Sequence, residues 1–266
     1  MKSIWDTNRG RIFATGGLKE GEVFCHGYNM MTELVGKTSF LQVLVLNVTG
    51  WLVERRVADW LEGYFICVSY PDARIWCNQV GSLAGSARTS PIAGVTAGVL
   101  ASDSHLYGPG TAKTSARFIQ EALLLKAQGY TARQIVELYR NDPSKPKIIG
   151  YNSRPIFKGD ERIVPLQLLM KELGFSVGPH LQLVHEIEQI MGEKTGETIN
   201  VLPFRTAFLS DQGLSPEEQA ILMSQTVFSG VAACYAQAVQ NPPDTFFPLR
   251  CEDMDYQGVA ERTLER

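Results

Sequence analysis

The sequence predicts an all-α fold, and two observations carry this prediction. Apolar residues recur at three- and four-residue spacing through long segments, which is the pattern of amphipathic helices. The alternating pattern that is typical of strands is nearly absent. With 266 residues, the chain is long enough to bury a substantial core, either as one large domain or as two modest ones.

Several segments combine a helical pattern with residues that favour helix ends. Apolar residues recur at helical spacing from Thr114 to Gln128, and Gly129 follows where a C-terminal cap belongs. Thr131 and Gln134 form a capping box for a second helix. Further helices are indicated by apolar stripes that end at Gly174 and Gly192, and by a helix start at Ser215, Pro216 and Glu218.

Small residues follow one face of a predicted helix between Ser90 and Ala101. The helix opens with a Ser-Pro pair and then places alanine and glycine at three- and four-residue spacing. Such a face lets a second helix approach closely. We favour a buried packing helix over a ligand-binding role for this segment.

The composition excludes several classes of protein. Hydrophobic residues make up 44% of the chain and the net charge is -3, so nothing favours nucleic-acid binding. The five cysteines are scattered without metal-ligand spacing, which indicates reduced thiols in a cytoplasmic protein. No apolar run approaches the ~18 residues of a membrane span, and the N-terminal residues lack the apolar core of a signal peptide. We expect a protein that is neither secreted nor membrane-embedded.

The familiar cofactor and hydrolase motifs are missing. Gly108 and Gly110 lack the spacing of a dinucleotide-binding loop, and the sequence contains no phosphate-binding loop and no GxSxG elbow. His185 lacks the second histidine of a zinc helix, because His180 lies five positions before it instead of four. The sequence therefore predicts no metal and no tightly bound cofactor.

Four separated segments carry spaced glycine, proline and charged residues. They are GYNMMTELVGKTSFLQVLVLNVTG, ARTSPIAGVTAGVLASDSHLYGPGT, GYNSRPIFKGDERIVPLQLLMKELG and NVLPFRTAFLSDQGLSPEE. In this order they resemble citrate synthase and citryl-CoA lyase, and together they run through nearly the whole chain. The matching residues are Gly27, Tyr28, Ser39, Phe40, Thr49 and Gly50 in the first segment, Lys158, Asp160 and Arg162 in the third, and Asn200, Val201, Asp211, Gly213, Pro216 and Glu217 in the fourth.

This resemblance implies a citrate synthase-like, all-α homodimer with two domains. The large, dimerising domain would comprise residues 1–112 and 216–266, and residues 113–215 would form a smaller inserted domain. Substrates in this family are carboxylic acids, and coenzyme A enters as part of the substrate.

The chain departs from the family at the three catalytic positions. There, one histidine hydrogen-bonds the thioester carbonyl, an aspartate removes a proton and a second histidine polarises a ketone. This sequence has Tyr107, Leu202 and Arg154 in those places. A tyrosine can still donate to an enolate, whereas an arginine holds its proton and a leucine cannot act as a base. His105 is the candidate replacement acid or base, and the alternative is a histidine without a role.

Further polar residues near these segments are candidates for substrate binding. Arg162 falls at the family's carboxylate-binding arginine, and Arg205 offers the charge of an inner arginine that is missing here. An exposed loop salt bridge is the alternative for Arg154 and Arg162. The other candidates are Asn152, Ser153, Lys158 and Arg74. Arg74 belongs to a polar run that either lines a pocket or stabilises a helix start, and we favour the helix start.

The resemblance favours a citryl-CoA lyase-like enzyme, a lyase or acyltransferase that makes or breaks a carbon-carbon bond of a carboxylated substrate through an enolate-like intermediate. Leu202 supports a rival interpretation, a catalytically inactive homologue that binds a ligand or regulates a partner. A third interpretation is a site used for decarboxylation or hydrolysis.

Overall fold

The computed structural model confirms an all-α fold. It describes residues 15–19, 21–104, 108–151, 159–193, 196, 198–243, 245, 251–255, 257–260 and 262–263. Within these residues the α-helices are α1 (Phe40–Thr49), α2 (Arg55–Val68), α3 (Trp76–Ser86), α4 (Pro91–Ala101), α5 (Gly110–Ala127), α6 (Ala132–Asn141), α7 (Ile163–Glu172), α8 (Pro179–Gly192), α9 (Val201–Asp211), α10 (Pro216–Met223) and α11 (Phe228–Gln240). A π-helix (Met30–Leu34) and a 3₁₀-helix (Cys251–Asp253) complete the helical elements.

A small antiparallel sheet precedes the helices. Its strands are β1 (Gly16–Lys19), β2 (Glu22–Cys25) and β3 (Tyr28–Asn29), paired in the order β1-β2-β3. Strands of two to four residues are too short to produce a readable alternating pattern, so the sequence did not predict them. The sheet has a small apolar cluster of its own, in which Cys25, Leu34 and Leu46 are buried.

The chain divides into two compact units. The first comprises Met1–Tyr70 with Ser102–Val227, and the second comprises Pro71–Ala101 with Phe228–Arg266. These bounds differ from the domains expected at residues 1–112, 113–215 and 216–266. The expected division into a large dimerising domain and a smaller inserted domain stays a prediction.

Aromatic packing in the first unit fixes helix α9 against helix α2. Trp60 is fully buried, and its ring centroid lies 3.8 Å from that of Phe208 and 6.3 Å from that of Phe204. The indole N–H of Trp60 also donates to the carbonyl of Leu166 in α7, at 3.3 Å. Because large aromatic side chains bury much apolar area, this cluster sets the position of α9, on which the site depends.

The small-residue face of helix α4 packs closely, as the sequence predicts, but the helix is not buried as a whole, because Ile92 is 82% and Leu100 is 71% exposed. A Cβ atom at Gly98 would lie 2.8 Å from the carbonyl oxygen of Cys77 in α3 and would clash with Val231 in α11. At Gly94 it would lie 2.7 Å from the ring of Tyr235. Only glycine allows three helices to approach this closely, which confirms the packing role.

The predicted helix ends are also present. Both capping boxes form, at Thr131 with Gln134 and at Ser215 with Glu218. Helix α5 begins at Gly110, four residues before the apolar pattern suggested, because its first turn is built from small residues. Helix α8 includes Gly192 as its last residue.

Candidate functional site

Helices α5 and α9 lie side by side and point in the same direction. Ser115 and Thr206 share a buried hydrogen bond between their hydroxyl oxygens at 3.0 Å. Five residues further along α5, the side-chain amide of Gln120 donates to the Ser210 hydroxyl at 3.0 Å. Since both residue numbers rise together, the helices are parallel. Their N-termini, with the positive ends of both helix dipoles, therefore lie at the same end of the first unit.

The segment that starts at Gly150 returns to the N-terminus of α9. The Asn200 amide donates to the Gly150 carbonyl at 2.8 Å, and the Val201 amide donates to Oδ2 of Asp160 at 2.8 Å. Gly150 has a φ of +85°, and a Cβ atom there would lie 2.5 Å from Cδ of Pro203. Both described ends of the 150–160 segment are thus held against the first turn of α9.

The second segment with family resemblance ends at the N-terminus of α5. The Thr111 hydroxyl donates to the Gly108 carbonyl at 2.8 Å. A Cβ atom at Gly110 would lie 2.6 Å from the carbonyl oxygen of Ser104. Residues on both sides of positions 105–107 therefore lie at the start of α5, beside the start of α9.

Most of the predicted catalytic and binding residues lie outside the residues that the structure describes. These are His105, Tyr107, Asn152, Ser153, Arg154 and Lys158. Their roles stay predictions. What the structure brings together is the described flanks of their segments, all at the end where α5 and α9 begin.

Leu202 occupies the second position of α9, and its surroundings are described. Its amide donates to Oδ1 of Asn200, which caps the helix, at 2.9 Å. The side chain is partly buried. Leu202 itself offers no acidic group to the helix N-terminus, where the Asp160 carboxylate already accepts from the Val201 amide.

Arg162 forms a two-point ion pair with Asp160. Its Nε and Nη2 atoms donate to Oδ1 and Oδ2 of Asp160 at 2.8 and 2.6 Å. Burial alone would raise the pKa of the Asp160 carboxyl, but the hydrogen bonds and charge of Arg162 and the Val201 amide outweigh it, and the pKa falls below its usual value. The pair holds the end of the 150–160 segment against α9, and substrate binding by Arg162 stays a prediction.

Arg205 is buried, and it has no carboxylate partner among the residues that the structure describes. Arg205 is 3% exposed, and its Nη1 atom donates to the Tyr64 hydroxyl oxygen at 2.8 Å. The guanidinium carbon lies 5.2 Å from the centroid of the Tyr64 ring. Its Nε and Nη2 atoms have no hydrogen-bond partner in the part of the chain that the structure describes. Sequence reasoning missed Tyr64, because a tyrosine on the buried face of an amphipathic helix looks like any core residue.

Arg74 lies in the turn before helix α3, which begins at Trp76 with Ile75 as its N-cap and without a side-chain cap. Its guanidinium pairs with Asp72 at 2.5 Å, and its side chain is 79% exposed. The Arg74 amide also donates to Oδ1 of Asp72 at 2.8 Å, and the Asn78 amide group donates to the Asp72 carbonyl at 3.0 Å. These contacts organise the turn before α3 within the second unit. Substrate binding by Arg74 stays a prediction.

His180 and His185 make local contacts at helix α8. The amide and Nδ1 of His180 lie 2.9 and 2.8 Å from Oδ1 of Asp211, which caps the start of this helix. Nδ1 of His185 lies 3.1 Å from Oε2 of Glu188, one turn along the same helix. Across the described ranges, no group of three or more His, Cys, Asp and Glu residues is placed to hold a metal ion. None of the helices described combines the length and apolar character needed to cross a membrane.

Comparison with known proteins finds relatives by structure only. No family model matches the chain, and no curated protein sequence matches it. The structure of citryl-CoA lyase from Hydrogenobacter thermophilus is similar over 96% of this chain and 98% of that chain, with a TM-score of 0.81 and 24% sequence identity.

Two larger proteins contain the same fold. ATP citrate lyase from Methanothrix soehngenii, solved in complex with citrate and coenzyme A, matches 96% of this chain with a TM-score of 0.77 and 17% identity. This chain spans 43% of the length of that protein. Citrate synthase from Pyrobaculum aerophilum matches 85% of this chain and 55% of its own, with a TM-score of 0.60 and 15% identity. The chain therefore has the fold of the citrate synthase and citryl-CoA lyase superfamily, as its four sequence segments predicted.

Proposed function

We propose that this chain is a citryl-CoA lyase-like enzyme that makes or breaks a carbon-carbon bond of a carboxylated substrate through an enolate-like intermediate. The observation that carries the proposal is that two parallel helix N-termini lie together with the described flanks of the two segments in which we predict catalytic residues. Two positive helix ends at one place favour a substrate that carries negative charge.

The proposed chemistry assigns one role to each replacement residue. In the cleavage direction a base removes the proton of the substrate hydroxyl, the carbon-carbon bond breaks, its electron pair forms the enolate, and the hydroxyl carbon becomes the ketone of the oxoacid. An acid then gives a proton to the enolate carbon. Tyr107 donates a hydrogen bond to that enolate, and Arg154 binds a carboxylate or carbonyl of the acid. Leu202 can neither take nor give a proton and Arg154 holds its own, so His105 is the proposed base and acid. Arg162, Lys158, Asn152, Ser153 and Arg205 are the proposed substrate-binding residues.

Coenzyme A is proposed as part of the substrate instead of a resident cofactor. The support is that an ATP citrate lyase of the same fold was solved with citrate and coenzyme A. We also propose a cytoplasmic homodimer. Helix α4 exposes Ile92 by 82% and Leu100 by 71%, which is apolar surface suited to a second copy. Elution as a monomer in gel filtration would contradict the dimer.

The first test is ligand-dependent thermal stability followed by turnover. A ligand that binds the native state raises the apparent melting temperature, so we expect shifts with citrate and with acyl-CoA. In turnover assays, Tyr107→Phe and Arg154→Ala should each lower kcat by about 100-fold, the scale on which one enolate-stabilising donor acts. Full activity in both variants would end the proposal.

An inactive, ligand-binding homologue is the second candidate, and Leu202 favours it. The two candidates differ in turnover. Stabilisation by citrate or coenzyme A without any product would favour ligand binding alone, whereas stabilisation by acids with loss of carbon dioxide would indicate decarboxylation.

A further inference from the structure

One buried guanidinium in the first unit, that of Arg205, has no ion pair with any carboxylate among the described residues. Arg205 is 3% exposed, and only its Nη1 atom has a hydrogen-bond partner among the residues described, the Tyr64 hydroxyl. A buried charge without a partner is unfavourable unless something else pairs with it. Binding of an anion next to Arg205 would therefore be favourable.

The two unpaired nitrogens of Arg205 form the edge of the guanidinium that suits a carboxylate. Nε and Nη2 point to the same side of the planar group, and two parallel N–H groups match the two oxygens of a carboxylate. The protein uses this same edge elsewhere, because Nε and Nη2 of Arg162 hold Asp160 at 2.8 and 2.6 Å. In Arg205 both atoms of this edge are buried and have no hydrogen-bond partner among the residues described.

Tyr64 holds this edge in place. Its hydroxyl oxygen accepts from Nη1 of Arg205 at 2.8 Å, on the opposite side of the guanidinium from Nε. Tyr64 as a whole residue is 4% exposed, and its ring stacks on that of Trp60 with centroids 6.2 Å apart, so packing in the core sets the orientation of the ring. A guanidinium that is fixed before binding loses less freedom when a ligand arrives.

Arg205 also stands beside the substituted catalytic position. Residues three apart on a helix are neighbours, so Arg205 follows Leu202 on the same side of α9. Helix side chains lean toward the N-terminus of the helix, which is the end where the candidate site lies. Near its start, α9 therefore carries an alkyl side chain at Leu202 and a cation at Arg205.

We propose that the Nε and Nη2 edge of Arg205 binds a carboxylate group of the ligand, and that Tyr64 is the positioning residue of this subsite. The inference rests on the proposed function, in that the ligand is the carboxylated substrate of that site. Neither nitrogen is exposed among the residues that the structure describes, so a carboxylate bound there would be shielded from solvent.

The test compares citrate affinity in matched variants by calorimetry and thermal unfolding, at constant ionic strength. Arg205→Met removes the charge and keeps an unbranched side chain. Arg205→Lys keeps the charge and loses the two-point edge. Each should weaken citrate binding by about tenfold or more, the scale of one charged hydrogen-bonded contact. Coenzyme A affinity should stay within twofold, and so should citrate affinity in the control variant Arg55→Met.

Two further readouts separate binding from a structural role. Without ligand, Arg205→Met should melt at a higher temperature than the wild type, because it removes an unbalanced buried charge. Tyr64→Phe should weaken citrate binding several-fold in the wild-type background and have no effect in the Arg205→Met background. A purely structural tyrosine would act equally in both.

Three results would overturn the inference. They are unchanged citrate affinity in the lysine variant, a wild-type protein that binds no carboxylate, and a lower melting temperature of Arg205→Met with an unchanged response to citrate. If citrate binding depends on Arg205 and no lyase product forms, the subsite stands and the proposed enzymatic function fails. The two failures are therefore distinguishable.

Discussion

Two arginines in the same unit, Arg162 and Arg205, show how pairing decides what a buried cation does. Arg162 uses its Nε and Nη2 atoms to hold Asp160, which in turn accepts from the first turn of α9. Arg205 keeps the same two atoms unpaired among the residues described and bonds only Tyr64. The guanidinium of Arg162 is paired within the fold, whereas Nε and Nη2 of Arg205 are the atoms that we propose bind a ligand. Substrate contact by Arg162, which the family resemblance implies, stays a prediction.

The largest effect on stability is expected from disrupting the ion pair between Arg162 and Asp160. Asp160→Asn leaves Arg162 without a charged partner and weakens the acceptor of the Val201 amide. Removing one member of a largely buried pair should lower the free energy of unfolding by about 2–4 kcal/mol. Urea unfolding measures this change. The matched variant Asp59→Asn, in an exposed pair with Arg55, should leave stability nearly unchanged, and equal losses in both would refute the difference.

A smaller effect is expected from giving the unpaired arginine an internal partner. Leu202→Asp places a carboxylate three residues before Arg205 and at the positive end of α9. Both interactions are favourable, so stability should rise by about 1 kcal/mol at neutral pH. Citrate affinity should fall, because the new carboxylate competes for Arg205. Leu202→Asn is the uncharged control, and a charged variant that binds citrate normally would place the ligand elsewhere.

The smallest effect on stability is expected from protonation of the Asp160 carboxylate in acid. Because the folded pKa of Asp160 lies below its unfolded value, this group contributes stability that is fully present above the ordinary carboxylate pKa of about 4 and is lost as pH falls through the folded pKa. The wild type should therefore lose stability below about pH 4 more steeply than Asp160→Asn. Parallel acid-unfolding curves for the two proteins would contradict this assignment.

Sequence by itself determined the fold class, several helix ends and one helix contact. Capping boxes such as Thr131 with Gln134 form within four residues, so local composition is sufficient to specify them. The glycines of α4 indicated a close helix contact before any partner was known, because only a residue without a side chain permits it. The four ordered segments then identified the superfamily fold, which the structural relatives share.

Only the tertiary structure decided which of these pieces meet. Helices α5 and α9 are joined by side-chain hydrogen bonds between residues about 90 positions apart, such as Ser115 with Thr206 and Gln120 with Ser210. Tyr64 and Arg205 are separated by 141 residues, and neither carries a local pattern that predicts the other. A sequence can name Arg205 as a candidate, but it cannot say which residues contact Arg205, because long-range pairing depends on how whole helix faces pack. The tertiary structure alone shows that Arg162 has a carboxylate partner and that Nε and Nη2 of Arg205 have none among the residues described.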